Sequence, residues 1–171
     1  MKKSVIIILA VIAVIVIWAV SMYNGLVAMD EKVNGQWANV ETQYQRRADL
    51  IPNLVNTVKG YATHEKETLE GVVEARSQAT QMKVDAADLT PEKLAQYQKA
   101  QGAVTSALGK LLAITENYPD LKANQNFLEL QAQLEGTENR INVARKNFND
   151  AAQAYNCLLY TSEAADDTPC V

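Results

Sequence analysis

The chain has 171 residues, of which 7 are Gly and 4 are Pro, too few turn formers for a strand-and-turn fold. It carries 16 Lys and Arg against 20 Asp and Glu, for a net charge of −4. With Lys2 and Lys3 set aside, the rest has 14 basic residues and a net charge of −6, which argues against a nucleic-acid partner or an anionic lipid surface.

Val5–Val20, VIIILAVIAVIVIWAV, is sixteen residues without a polar side chain. With Ser4 and Ser21–Tyr23 it makes a twenty-residue helix. At ~1.5 Å per residue that is about 30 Å, the thickness of a bilayer core. Trp18 and Tyr23 sit near its far end, where interfacial aromatics belong. The alternative is a cleavable signal peptide, with Ala19-Val20-Ser21 as a tolerable site. The apolar run is slightly long for that, so residues 1–23 are read as a retained transmembrane anchor. Lys2 and Lys3 precede the span, and Lys32 is the first base after it. Positive charge stays inside, so the amino terminus is expected in the cytoplasm and the rest on the far side of the membrane.

Val33–Tyr61 follows, and it organises the remainder. Val33, Trp37, Val40, Tyr44, Arg47, Ile51, Leu54, Val58 and Tyr61 recur on alternating four- and three-residue steps. That places them on one helix face. A single helix cannot bury such a stripe, so partner helices are required. Pro52 lies within it, yet the stripe keeps its phase on both sides, which predicts a kink rather than a stop.

Gly60–Thr63 reads as a helix end followed by an N-cap at Thr63. The second helix is expected over about 64–83, burying Leu69, Val72, Val73, Ala79 and Met82. Val84–Leu89 reads as a short polar connection. Thr90-Pro91-Glu92 is a clear start signal: cap, Pro at the first helical position, then an acid. The third helix runs to about Thr115 on Leu94, Tyr97, Val104, Leu108, Leu111 and Ile114. ENYPD at 116–120 ends it, and a fourth helix is expected over about 121–155. Its stripe is Phe127, Leu130, Leu134, Thr137, Ile141, Ala144, Phe148, Ala151 and Tyr155. The fold class is therefore all-α: an N-terminal transmembrane helix, then an antiparallel up-and-down four-helix bundle over residues 24–156. Residues 157–171, CLLYTSEAADDTPCV, do not continue the stripe and read as an atypical tail, disordered or foreign to the domain. A Cys157–Cys170 disulfide is open to that tail outside the cytoplasm.

Few residues offer chemistry. Arg47 falls in the apolar seam, where a guanidinium needs an oxygen partner. Arg46 beside it and Glu135 and Glu138 on the fourth helix complete the candidate group. It is either an ion pair internal to the bundle or a partner contact. His64 is the only histidine and stands among charges, as a solvated residue does. Glu65 with Asp49 is a conceivable carboxylate pair, of a kind any acidic helical protein offers. No P-loop, GxGxxG or HExxH motif occurs. One histidine cannot supply the paired Glu-x-x-His repeats of a di-metal bundle. No catalytic, cofactor-binding or metal-ligating residue is assigned. The amides Asn124, Gln125, Asn126, Asn139, Asn142, Asn147 and Asn149 are open to two readings, solvated surface or recognition surface.

Three stretches carry a family resemblance. They are RRADLIPNLVNTVKGYA at 46–62, continuing as HEKETLEGVVEAR at 64–76; ENYPDLKAN at 116–124; and ENRINVARKNFNDAAQAYN at 138–156. Together with the anchor they resemble the bacterial LemA family over about residues 1–156, and the chain departs from that pattern after Asn156. The resemblance implies a membrane-anchored helical bundle, with no established activity, cofactor or catalytic residue. The expectation is a membrane-tethered scaffold of the cell envelope that binds another envelope protein and is not an enzyme. The alternatives are a small-ligand sensor with a pocket between helices, and an enzyme using carboxylates on the bundle.

Overall fold

The computed structural model describes residues 2–84 and 86–163. The chain is all-α. Helix α1 spans Lys2–Lys59, α2 Lys66–Gln81, α3 Pro91–Thr115, α4 Pro119–Lys122 and α5 Gln125–Glu163, with one 3₁₀ turn at Ala86–Asp88. Helices α1 and α5 pack antiparallel, as do α2 and α3. Cys170, the partner that a disulfide open to Cys157 would need, and the rest of the tail beyond Glu163 lie outside the described residues.

The chain divides into two compact units, residues 1–36 with 146–171, and residues 37–145. In the first, α1 opens with apolar side chains on every face. Those from Ile6 to Val20 are 50–69 % exposed, and this is the one helix among the described residues long and apolar enough to cross a membrane. On α5, Phe148 and Ala151 of the same unit are buried.

The second unit holds the main core. Ile51, Leu54 and Val58 of α1, Val72 of α2, Leu111 of α3, Leu121 of α4 and Phe127 of α5 are essentially sealed from solvent. Side chains three and four apart on each helix supply them, as the stripes require. The α3 start forms as its sequence dictates. Thr90 has extended backbone and its hydroxyl accepts from the Lys93 amide at 3.3 Å, with Pro91 in the first turn.

Several boundaries differ from the sequence reading, each for a local reason. Helix α1 ends at Lys59, so the stripe loses phase: Tyr61 is 42 % exposed and Ala62 is buried in its place. Thr63 does not cap α2. The Glu65 amide donates to the Ala62 carbonyl at 3.2 Å, closing a turn that delays the helix to Lys66. On α2, Val73 is exposed and Ala75 is buried instead. Val84 in the connection is not a polar linker residue but a core one. The last long helix starts at Gln125, not Leu121, because the Asn124 side-chain oxygen accepts from the Phe127 amide at 3.0 Å and caps a new helix after the short α4. Helix α5 also runs on past Asn156 to Glu163. Losing an apolar stripe does not end a helix, and Gly and Pro are absent from Asn156 until Pro169.

Candidate functional site

Among the described residues of the 37–145 unit, Arg47 is the buried charge, and a polar cluster is built around it. Its position on α1, one residue after the exposed Arg46, turns it into the seam between α3 and α5. The side chain is 3 % exposed. One terminal nitrogen donates to Thr105 Oγ1 at 2.8 Å and to Glu138 Oε2 at 3.0 Å. The other donates to the Gln101 carbonyl at 3.0 Å and to Gln101 Oε1 at 2.8 Å. Four of the five guanidinium N–H groups are thereby used. The Tyr44 ring lies beneath, 5.1 Å from the guanidinium carbon.

The aromatic residues continue this layer along α1. Tyr97 of α3 meets Tyr44 edge-on at 5.5 Å and Trp37 at 5.3 Å. The Trp37 indole donates to the Val84 carbonyl at 3.0 Å, which fixes the α2–α3 connection against α1. Burial pushes the Tyr44 hydroxyl above its ordinary value, opposed by the positive charges of Arg145 and Arg47. Burial raises Tyr97 too, with the Glu41 carboxylate adding to it. Both phenols are held neutral.

Of the four residues singled out in the sequence, the structure joins Arg47 with Glu138 and leaves Arg46 and Glu135 exposed. Gln101 and Thr105 were not anticipated. A signal for Gln101 existed: it is a polar residue at a core step of the α3 stripe, between Tyr97 and Val104. The guanidinium itself is enclosed, with four of its N–H groups taken by protein oxygens, whereas Thr105 and the 39 % exposed Glu138 open to solvent.

The remaining candidates are dispersed. His64 is exposed. Glu65 accepts from the Tyr118 hydroxyl at 3.1 Å, whereas Asp49 accepts from Gln45 at 2.8 Å, so these carboxylates have separate partners. Among the described residues, no three of His, Cys, Asp and Glu gather as metal ligands. Asn124 both caps α5 and donates to the Tyr61 hydroxyl at 2.9 Å, tying two connections together; the amides from Gln125 to Asn149 named above are exposed. A groove of about 620 Å³ lies between α1 and α2, with Val55, Leu69 and Val73 as its apolar lining and Lys59, Lys66, Glu70 and Glu74 among its polar residues. Arg47 is not part of it.

These features define a helical-bundle protein with an apolar N-terminal helix and an enclosed guanidinium. A family model described as the LemA family matches residues 36–163. The chain belongs to the LemA family. It is 27 % identical over 138 residues to "Protein LemA" of Metamycoplasma hominis, covering 81 % of this chain and 59 % of that protein. It is 28 % identical over 155 residues to "Magnetosome protein MamQ 2" of Paramagnetospirillum magneticum, covering 78 % and 56 %. "Magnetosome protein MamQ" of Magnetospirillum gryphiswaldense is 27 % identical over 158 residues, covering 80 % and 57 %. The chain thus spans a little over half the length of these relatives.

Proposed function

We propose that this protein is a membrane-tethered interaction module of the bacterial envelope, working by binding another envelope protein and not by catalysis. The observation that carries the reading is the division of α1. Its first part is apolar on all faces and exposed, whereas from Trp37 onward only a stripe is apolar, and that stripe is buried. A helix apolar all round and unburied suits lipid; a striped one suits a bundle. Lys2 and Lys3 ahead of the span favour a cytoplasmic amino terminus and an extracytoplasmic bundle. The Arg47 cluster spends its charge on internal hydrogen bonds, which supports a structural role for it. Relatives named as magnetosome proteins fit a role at a membrane-bounded structure. Tethering would hold the exposed polar faces of the bundle at high local concentration beside other membrane proteins.

The test is crosslinking in intact membranes followed by affinity purification, comparing the wild type, His64→Ala and a version lacking residues 1–22. His64→Ala should keep the crosslinked partners, and the untethered version should lose most of them. No captured partner, together with a cellular phenotype abolished by His64→Ala, would overturn the reading in favour of an enzyme. A second reading, a small-ligand sensor, is supported by the α1–α2 groove with its apolar lining of Val55, Leu69 and Val73.

A further inference from the structure

Pro52 stands inside α1, which continues as helix to Lys59. A proline nitrogen carries no hydrogen, so the carbonyl four residues back, that of Ala48, has no intrahelical donor. Ala48 is buried, and a buried carbonyl without a donor is costly. The missing donor comes from another helix. Arg76 Nε of α2 donates to the Ala48 carbonyl at 2.6 Å. A charged donor makes this stronger than the bond it replaces.

We propose that Pro52 and Arg76 form a latched hinge. Pro52 supplies the weak point in α1, and Arg76 holds the residues beyond it in line against α2. The consequence reaches the groove. Val55 and Lys59, both beyond Pro52, form one wall, and Lys66, Leu69, Glu70, Val73, Glu74 and Ser77 of α2 form the other. The hinge angle therefore sets the width of the groove, and the latch holds it in the observed state. Nothing in this inference depends on a protein partner, so it stands or falls apart from the tethering proposal.

The experiment is a double-mutant cycle on the full chain in nanodiscs, read by thermal melting and by amide hydrogen exchange over residues 53–59. Arg76→Met keeps the apolar stem and removes the donor. It should lower Tm by roughly 5 °C and speed exchange in 53–59 by about tenfold. Pro52→Ala restores the amide that Ala48 lacks, so Arg76→Met in that background should change neither readout appreciably. An equal loss from Arg76→Met in both backgrounds would overturn the latch and make Arg76 an ordinary packing residue. Where Pro52→Ala fails to fold, the exchange pattern of Arg76→Met alone decides. Faster exchange confined to 53–59 supports the hinge, and a rise spread evenly over the bundle refutes it.

Discussion

Both parts of α1 carry large apolar side chains, yet only those of the second are buried. Ile6 to Trp18 present Ile, Val, Leu and Trp outward on every side. From Trp37 to Val58 the apolar residues keep to a stripe, and the side chains between them, such as Ala38, Thr42, Gln45 and Asn53, face water. The difference lies in composition and in arrangement: the first part is apolar throughout, and the second sets its apolar residues on one face among polar and charged ones. Apolar surface all round can be removed from water only by a surrounding apolar medium, whereas a stripe is satisfied by neighbouring helices. The first part therefore needs an environment that the chain does not supply, and the second makes its own.

The sharpest way to break this contrast is to remove the first part. A chain lacking residues 1–22 should move from the pellet to the supernatant in alkaline carbonate extraction of membranes. The bundle should keep its cooperative melt, because its core from Ile51 to Leu134 lies wholly beyond the deletion. A truncated bundle that no longer melts cooperatively would mean that the two parts of the helix are not separable in function.

A polar intrusion into the buried stripe should be the next largest effect. Arg47→Ala deletes a cation with four hydrogen bonds and strands the buried Gln101 side chain in the seam. Breaking a buried pair costs several kcal/mol, and Glu138, at 39 % exposure, can recover part of its hydration. The expected loss is about 2–4 kcal/mol, measured by urea unfolding of the soluble bundle. An unchanged midpoint would remove Arg47 from the list of residues that hold the seam.

Alkali should act on the same layer more gently. Tyr44 and Tyr97 are both raised, chiefly by burial, so the fold keeps their protons at a pH where the unfolded chain has begun to lose them. For a group raised in the folded state, the stability is fully present below the unfolded value and is lost as pH rises through the folded one. Stability should therefore be flat up to about pH 10 and then fall, by at most ~1.4 kcal/mol per pH unit per tyrosine. Tyr97→Phe should make the decline shallower. A slope that this substitution leaves untouched would assign the alkaline loss to other groups.

How much of this was legible follows from what periodicity can and cannot encode. The stripes of α1, α3 and α5 were readable because burial on one face repeats every three to four residues. Thr90-Pro91 was readable because the cap is local chemistry. Tyr61 and Thr63 were misplaced because they depend on backbone bonds, such as Glu65 to Ala62, that leave no trace in side-chain pattern, and the start of α5 because Asn124 caps it three residues beyond the expected start. The Arg47 cluster was half legible. A cation in an apolar seam demands an acceptor, and Glu138 borders the facing stripe beside Thr137, but a backbone carbonyl such as that of Gln101 is an acceptor no sequence advertises. Arg76 was hidden for the same reason, since its partner is the main chain of Ala48.

The smallest predicted effect sharpens the comparison most, because it concerns adjacent residues of one type. Arg46 and Arg47 carry the same charge and the same side chain, and they differ only in which way the helix turns them. A step of one residue rotates a side chain by about 100°, enough to carry it from the seam to the solvent face. Arg47 is buried and Arg46 is exposed. An exposed arginine on a helix surface has a hydrated head in either state, so deleting it removes little that folding gained. Arg46→Ala should change the unfolding free energy by no more than about 0.5 kcal/mol, within a urea titration run beside Arg47→Ala under identical conditions. Alanine is also the better helix former, which offsets part of any lost contact. Should the two substitutions destabilise equally, burial would not be what distinguishes them, and the rotation of α1 about its own axis would have to be redrawn. Should Arg46→Ala leave stability intact and still abolish crosslinking to partners in membranes, Arg46 would become the first residue of the partner surface to be identified.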